Sequence, residues 1–229
     1  MPDDHGFYLA GPSGPERAGV LVVHDWYGLL PHVRAACDEL AAAGLVALAP
    51  DLYDGRTATD PAQAEALMEG LDQAAARARL DEAVATVRAR AGGGPVGVLG
   101  WSMGGSFALA QAATGTVDAA AIYYAALGED DAARTHCPVL LHLAEVDEFD
   151  PPELFTTFVD ALRAAGTEVQ VQVWPGTEHS FANGDVALHA PDAAAEAWAI
   201  TVRFLRDRLA GAVSAREPDG YPDQVGCRL

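Results

Sequence analysis

Val96-Gly97-Val98-Leu99-Gly100-Trp101-Ser102-Met103-Gly104-Gly105 joins an apolar, β-branched run to the helix-like stretch Ser106-Phe107-Ala108-Leu109-Ala110. The run stops at Gly100, and a serine follows with glycines at 100 and 104. Gly-x-Ser-x-Gly between a strand and a helix sets the serine on a sharp, strained turn with its hydroxyl exposed. The positions two residues either side must be glycine, because strand and helix leave no room there for side chains. The following helix gathers its first amides where negative charge would develop on a reacting oxygen. A phosphate-cradling turn would need Gly-x-Gly-x-x-Gly or Gly-Lys-Ser/Thr at this junction. Neither stands there, and the chain contains no lysine.

Around this turn, apolar β-branched runs recur with helical stretches between them. Strands are expected at Ala18–His24, Leu45–Pro50, 96–100, Asp118–Tyr124, Pro138–Leu143 and Glu168–Trp174, with a short edge strand at Phe7–Leu9. Helices are expected at His32–Ala43, across Pro61–Ala91 (as two), and at Met103–Ala113, Pro152–Ala165 and Pro191–Leu209. Pro31, Pro61, Pro152 and Pro191 stand near helix starts, where a missing amide hydrogen costs nothing. Gly44 and Gly166 close helices. This alternation predicts one domain with a mostly parallel sheet and helices on both faces. The domain is expected over residues 1–210. Residues 211–229 lose the periodicity and hold Pro218, Gly220, Pro222 and Gly226, so they read as a C-terminal tail.

Composition narrows the function. The chain has 229 residues, half of them hydrophobic, enough for a sizeable core. No apolar run is long enough to span a membrane. Met1-Pro2-Asp3-Asp4-His5 is acidic and is not a secretory signal. Cys37, Cys137 and Cys227 are odd in number and unevenly spaced, which argues against a disulfide framework or zinc site and fits the cytoplasm. A net charge of −19 repels nucleic acid and anionic membrane. The chain is read as a monomer or homodimer.

Sites in open parallel sheets form at the carboxyl ends of the strands. Those ends carry, in order, His24-Asp25-Trp26-Tyr27-Gly28, the Ser102 turn, Ala144-Glu145-Val146-Asp147-Glu148-Phe149-Asp150 and Pro175-Gly176-Thr177-Glu178-His179. Serine, acid and histidine thus follow the chain order of an α/β-hydrolase. His179 is the candidate base, since an imidazole can accept and return a proton near neutral pH. His142 is set aside because it lies inside a strand. Asp147 is the candidate acid, ahead of Glu145 and Asp150, because it sits a short loop beyond its strand. The amides of Met103 and Trp26 are expected to form the oxyanion hole. Trp26, Tyr27, Trp101, Met103, Tyr124 and Phe181 are expected to line the mouth.

Together these blocks, with Pro50-Asp51-Leu52-Tyr53, Tyr123-Tyr124 and Pro175-Gly176-Thr177-Glu178-His179-Ser180-Phe181, resemble the dienelactone hydrolase family over about residues 7–209. The resemblance implies a compact α/β-hydrolase without a large cap domain, needing no metal or organic cofactor. It also marks departures. Familiar members carry a cysteine where this chain has Ser102 and a glutamate where it has Asp25. Asp25 is therefore read either as a site-lining acid or as a loop residue capping the next helix. An arginine that holds a substrate carboxylate is expected a few residues past the histidine, where Ala182-Asn183 stands; Arg56 is the candidate to replace it. The leading reading is a hydrolase that cleaves small carboxylic esters or lactones through an acyl-serine intermediate. The alternatives are a peptidase, thioesterase or acyltransferase with the same triad, or a non-catalytic binding protein on the same fold. The apolar mouth and acidic surface predict a preference for small neutral esters or lactones.

Overall fold

The computed structural model describes residues 6–12, 14 and 17–216. Its elements in chain order are β1 (Phe7–Ala10), β2 (Gly19–Val23), α1 (Pro31–Ala42), β3 (Val46–Pro50), α2 (Pro61–Glu69), α3 (Gln73–Arg90), β4 (Val96–Trp101), α4 (Met103–Ala112), β5 (Ala119–Tyr123), α5 (Glu129–Arg134), β6 (Val139–Val146), α6 (Pro152–Ala164), β7 (Val169–Glu178) and α7 (Pro191–Arg216). The seven strands form one sheet in the order β1-β3-β2-β4-β5-β6-β7. All neighbours are parallel except the edge pair β1–β3.

Strands β2 to β5 are buried along their whole length. Their near-continuous apolar runs are the signature of a parallel sheet covered on both faces. One core layer joins the sheet to α3, α4 and α6 through residues such as Leu80, Leu109 and Phe158. The other joins it to α1 and α7 through Leu40, Leu205 and Leu209. Helix starts follow local rules: proline opens α1, α2 and α6. The Asp60 and Asp72 carboxylates cap α2 and α3 by accepting first-turn amides. The buried imidazole of His142 bridges sheet and helix. Trp174 Nε1–H donates to its Nδ1 (3.1 Å), so its Nε2–H faces Thr201 Oγ1 on α7 (3.0 Å).

Three differences from the sequence expectation matter. Helix α7 runs to Arg216 rather than ending near Leu209, because alanines continue past Gly211 and no proline intervenes. The expected tail thus begins inside that helix, and residues 217–229 lie outside the described residues. Helix α5 was not expected: it is six residues long and buries only Ala132, too little for a visible period. Strands β6 and β7 reach Val146 and Glu178, pairing once more beyond an irregularity between Ala144 and Val146. No helix of the described residues is long and apolar enough to cross a membrane.

Candidate active site

Ser102 occupies the turn between β4 and α4 with φ 50° and ψ −120°, a conformation L residues rarely adopt. Two glycines permit it. A Cβ on Gly100 would lie 2.2 Å from the Gly104 carbonyl oxygen, and one on Gly104 would lie 2.3 Å from the His24 carbonyl oxygen. The first turn of α4 therefore rests directly on the end of β2. The Ser102 amide donates to the Tyr123 carbonyl (3.0 Å), which fixes the turn to β5.

The extra pairing at the ends of β6 and β7 carries Asp147 and His179 to the same sheet edge. His179 Nε2 lies 2.8 Å from Ser102 Oγ, and His179 Nδ1 lies 2.8 Å from Asp147 Oδ2. A carboxylate only accepts, so Nδ1 carries the hydrogen and the Nε2 lone pair faces the serine hydroxyl. Asp147 Oδ1 also accepts the amides of Phe149 (3.0 Å) and Asp150 (3.1 Å), so the acid is pinned by its own loop. Neither rival acid is placed against the imidazole. Glu145 accepts the Gly176 amide instead. Asp150 is half-buried, and burial, then the nearby Asp147 charge, pushes its carboxyl above the ordinary range.

Two residues that line the cavity over Ser102 carry backbone amides without an intrahelical or loop acceptor. The Met103 amide is the first of α4 and has no acceptor within the helix. The Trp26 amide, on the loop after β2, is also without an acceptor among the described residues. Beneath this loop, Asp25 is 1% exposed. Its Oδ1 accepts the Tyr27 amide (2.9 Å) and its Oδ2 accepts Asn183 Nδ2–H (2.7 Å). Burial raises the Asp25 carboxyl above its ordinary value, partly offset by the neighbouring His32.

A cavity of about 390 Å³ opens over Ser102 and His179. Trp26, Met103, Phe107, Leu127 and Phe149 supply much of its wall, and Arg77 of α3 brings a guanidinium. The sequence had not marked Phe149 or Arg77. Phe149 stands edge-on to Trp26 (5.6 Å between centroids) and 4.7 Å from the His179 ring. Its position two residues after the acid was the available signal. Arg77 carried none beyond being a cation in an alanine-rich helix.

Several residues expected at the mouth lie elsewhere, and this corrects the sequence reading. Trp101, Tyr124 and Phe181 are almost fully buried in the core layer shared with α1 and α7. Successive strand residues face opposite ways, so Trp101 points away from the cavity, against His32 and Tyr123. Tyr124 packs beneath the His179 ring and against Phe181. Tyr27 packs with Ala58 and Ala64, and Asp25 lies under the loop rather than in the cavity. Arg56 turns its Nε–H back to the Tyr53 carbonyl (3.0 Å) and does not line the cavity. Cys37 and Cys137 are buried, and burial pushes the Cys137 thiol up to about 12. Cys227 lies outside the described residues. Among the described residues, no group of three or more histidines, cysteines or acids could hold a metal ion.

The profile of the Dienelactone hydrolase family matches residues 6–209. The chain belongs to the dienelactone hydrolase family. It is 31% identical over 221 residues to Protein usf of Aquifex pyrophilus, covering 88% of this chain and 93% of that one. It is 30% identical over 218 residues to the carboxymethylenebutenolidase of Pseudomonas putida, covering 89% and 92%. Among solved structures, m3DLH superposes with a TM-score of 0.75 at 28% identity, covering 86% of this chain and 88% of that one. The single-domain, mostly parallel α/β architecture is the family's, and the protein is a hydrolase of that family.

Proposed function

We propose that this hydrolase cleaves carboxylic ester and lactone bonds through an acyl-Ser102 intermediate. The observation that carries the reading is the unbroken hydrogen-bonded line from Ser102 Oγ through His179 to Asp147, with separations of 2.8 Å on both sides of the imidazole. In the first half-reaction Ser102 Oγ attacks the carbonyl carbon as its proton passes to His179 Nε2. The oxyanion takes the amides of Met103 and Trp26, which strengthens binding in the transition state rather than before it. Asp147 holds the imidazole by its Nδ1–H and stabilises the cation. Collapse breaks the bond to the alcohol oxygen, which leaves with the proton on Nε2. For a lactone that alcohol remains tethered to the acyl group. Water then attacks the acyl enzyme by the same route, releasing the carboxylic acid and restoring Ser102.

The names of relatives such as the Pseudomonas putida carboxymethylenebutenolidase support ester or lactone chemistry. The apolar part of the cavity wall, from Trp26, Met103, Phe107, Leu127 and Phe149, supports a small apolar acyl group. The test is labelling with a sulfonyl fluoride or a fluorophosphonate, read by peptide mapping, beside turnover of a short aryl ester and a lactone by wild type and Ser102→Ala. The expected result is one adduct on Ser102 and loss of turnover in the variant. Adducts confined to other residues in active enzyme, or an active Ser102→Ala, would overturn the proposal.

A further inference from the structure

We infer that Asp25 and Asn183 act as a positioning clamp that fixes the loop bearing the Trp26 amide against the loop bearing His179. The inference rests on the acyl-serine reading and goes beyond it, by giving a role to a buried acid that touches neither serine nor substrate cavity. The network begins just past the end of β2. Leu52 N–H donates to His24 Nε2 (3.1 Å), so His24 Nδ1–H must donate to the Asp25 carbonyl (2.7 Å). The Asp25 carboxylate then takes the Tyr27 amide on one oxygen and the Asn183 amide hydrogen on the other. The Trp26 amide lies between these two anchored residues. Asn183 is four residues past His179, and its Oδ1 accepts the Asp185 amide (2.9 Å). Asp185 Oδ2 accepts both the His32 amide (2.8 Å) and His32 Nδ1–H (2.9 Å) at the start of α1. His32 Nε2 lies 3.9 Å from Asp25 Oδ2, beyond hydrogen-bond distance, and makes no hydrogen bond of its own.

The network ties residues 24–27 and the start of α1 to residues 183–185, separated from them by 158 and 153 residues in the Asp25–Asn183 and His32–Asp185 contacts. Asp25 and Asn183 are both essentially inaccessible to solvent. Water cannot replace a lost bond there, so breaking one leaves a buried polar group unpaired. The geometry also dictates how the pair tolerates change. Asn183 spends its oxygen on Asp185 and its NH₂ on Asp25. Asp25→Asn sets NH₂ against NH₂, unless one amide flips and breaks another bond. Asn183→Asp sets carboxylate against carboxylate. The reciprocal double variant restores every contact: Asn at 25 accepts from Tyr27 and donates to Asp at 183, which still accepts from Asp185.

The experiment is steady-state kinetics of wild type, D25N, N183D and D25N/N183D on a short aryl ester, beside Ser102→Ala and urea unfolding of each. A clamp on the oxyanion loop is felt in the transition state, so kcat should fall with KM nearly unchanged. Each single variant is expected to lose about tenfold or more in kcat, the scale on which small misplacements of reacting groups are felt. The double variant is expected to recover most of it. A double variant as slow as the slower single one, or single variants with wild-type kcat, would overturn the clamp. So would a kcat loss matched by the unfolded fraction in the urea curves. An active Ser102→Ala overturns the acyl-serine reading itself, and is distinct from a failed rescue in an enzyme that still depends on Ser102.

Discussion

Among the acids near His179, only Asp147 meets the imidazole, with both oxygens within 2.9 Å of Nδ1. Asp147→Asn should therefore lower kcat by about 10³-fold or more, since an amide at that place no longer enforces the tautomer that faces Ser102. Glu145→Gln should keep wild-type turnover, because its side chain serves the Gly176 amide and a glutamine oxygen can do the same. Initial rates on one aryl ester decide between them; a reversed order of effects would reject Asp147 as the acid. The serine and its candidate partners were legible in sequence because each follows a recognisable strand, in an order the fold imposes. The mouth was not. Trp101 adjoins the serine in sequence yet faces the opposite core layer, and Tyr124 and Phe181 support the imidazole from below. Sequence proximity to a strand end does not say which way a side chain points. Phe149 and Arg77 reach the cavity from a loop and a helix whose paths no local pattern encodes.

At the scale of elements, the contact of α4 with the end of β2 decides whether Ser102 can be presented at all. Gly104→Ala would drive a methyl group into the Val23 and His24 carbonyl oxygens, 2.4 and 2.3 Å away, and backbone atoms cannot turn aside as a side chain would. We expect it to cost about 3 kcal/mol or more, at the upper end of overpacking effects. Asp72→Ala removes the carboxylate that accepts the Ala74 and Ala75 amides at the start of α3. A lost cap of this kind costs about 1 kcal/mol. Urea midpoints of both variants test the ranking, and a Gly104→Ala protein as stable as Asp72→Ala would refute the close packing. The long elements announced themselves through continuous apolar runs and proline starts. Helix α5 and the last pairs of β6 and β7 did not. Their residues are held by neighbours distant in sequence, as in the pairing of Val146 with Glu178.

At the scale of the whole molecule, two imidazoles are locked neutral inside a strongly acidic protein. His142 accepts from Trp174, and burial lowers it to about 3; His24 accepts from Leu52 and is likewise lowered by burial. The unfolded chain binds protons on both near pH ~6.5, while the fold refuses them. Stability is therefore full above that pH and drains away as pH falls below it, for His142 down toward 3 and by up to about 1.4 kcal/mol per pH unit, and His24 adds a loss in the same direction. Urea unfolding between pH 7 and pH 5 should show this fall. His142→Gln should be less stable at pH 7 yet show a shallower slope; an unchanged slope would remove His142 from the account. A last consequence lies in time rather than space. Ser102 and His179, the proposed nucleophile and base, are separated by 77 residues, with β5, β6 and β7 between β4 and the imidazole. A chain emerging from the ribosome acquires its serine turn long before it acquires the means to activate it. Hydrolysis should then be the last property to return on refolding, after helical content is complete, which makes catalysis a clock for the docking of the final strand.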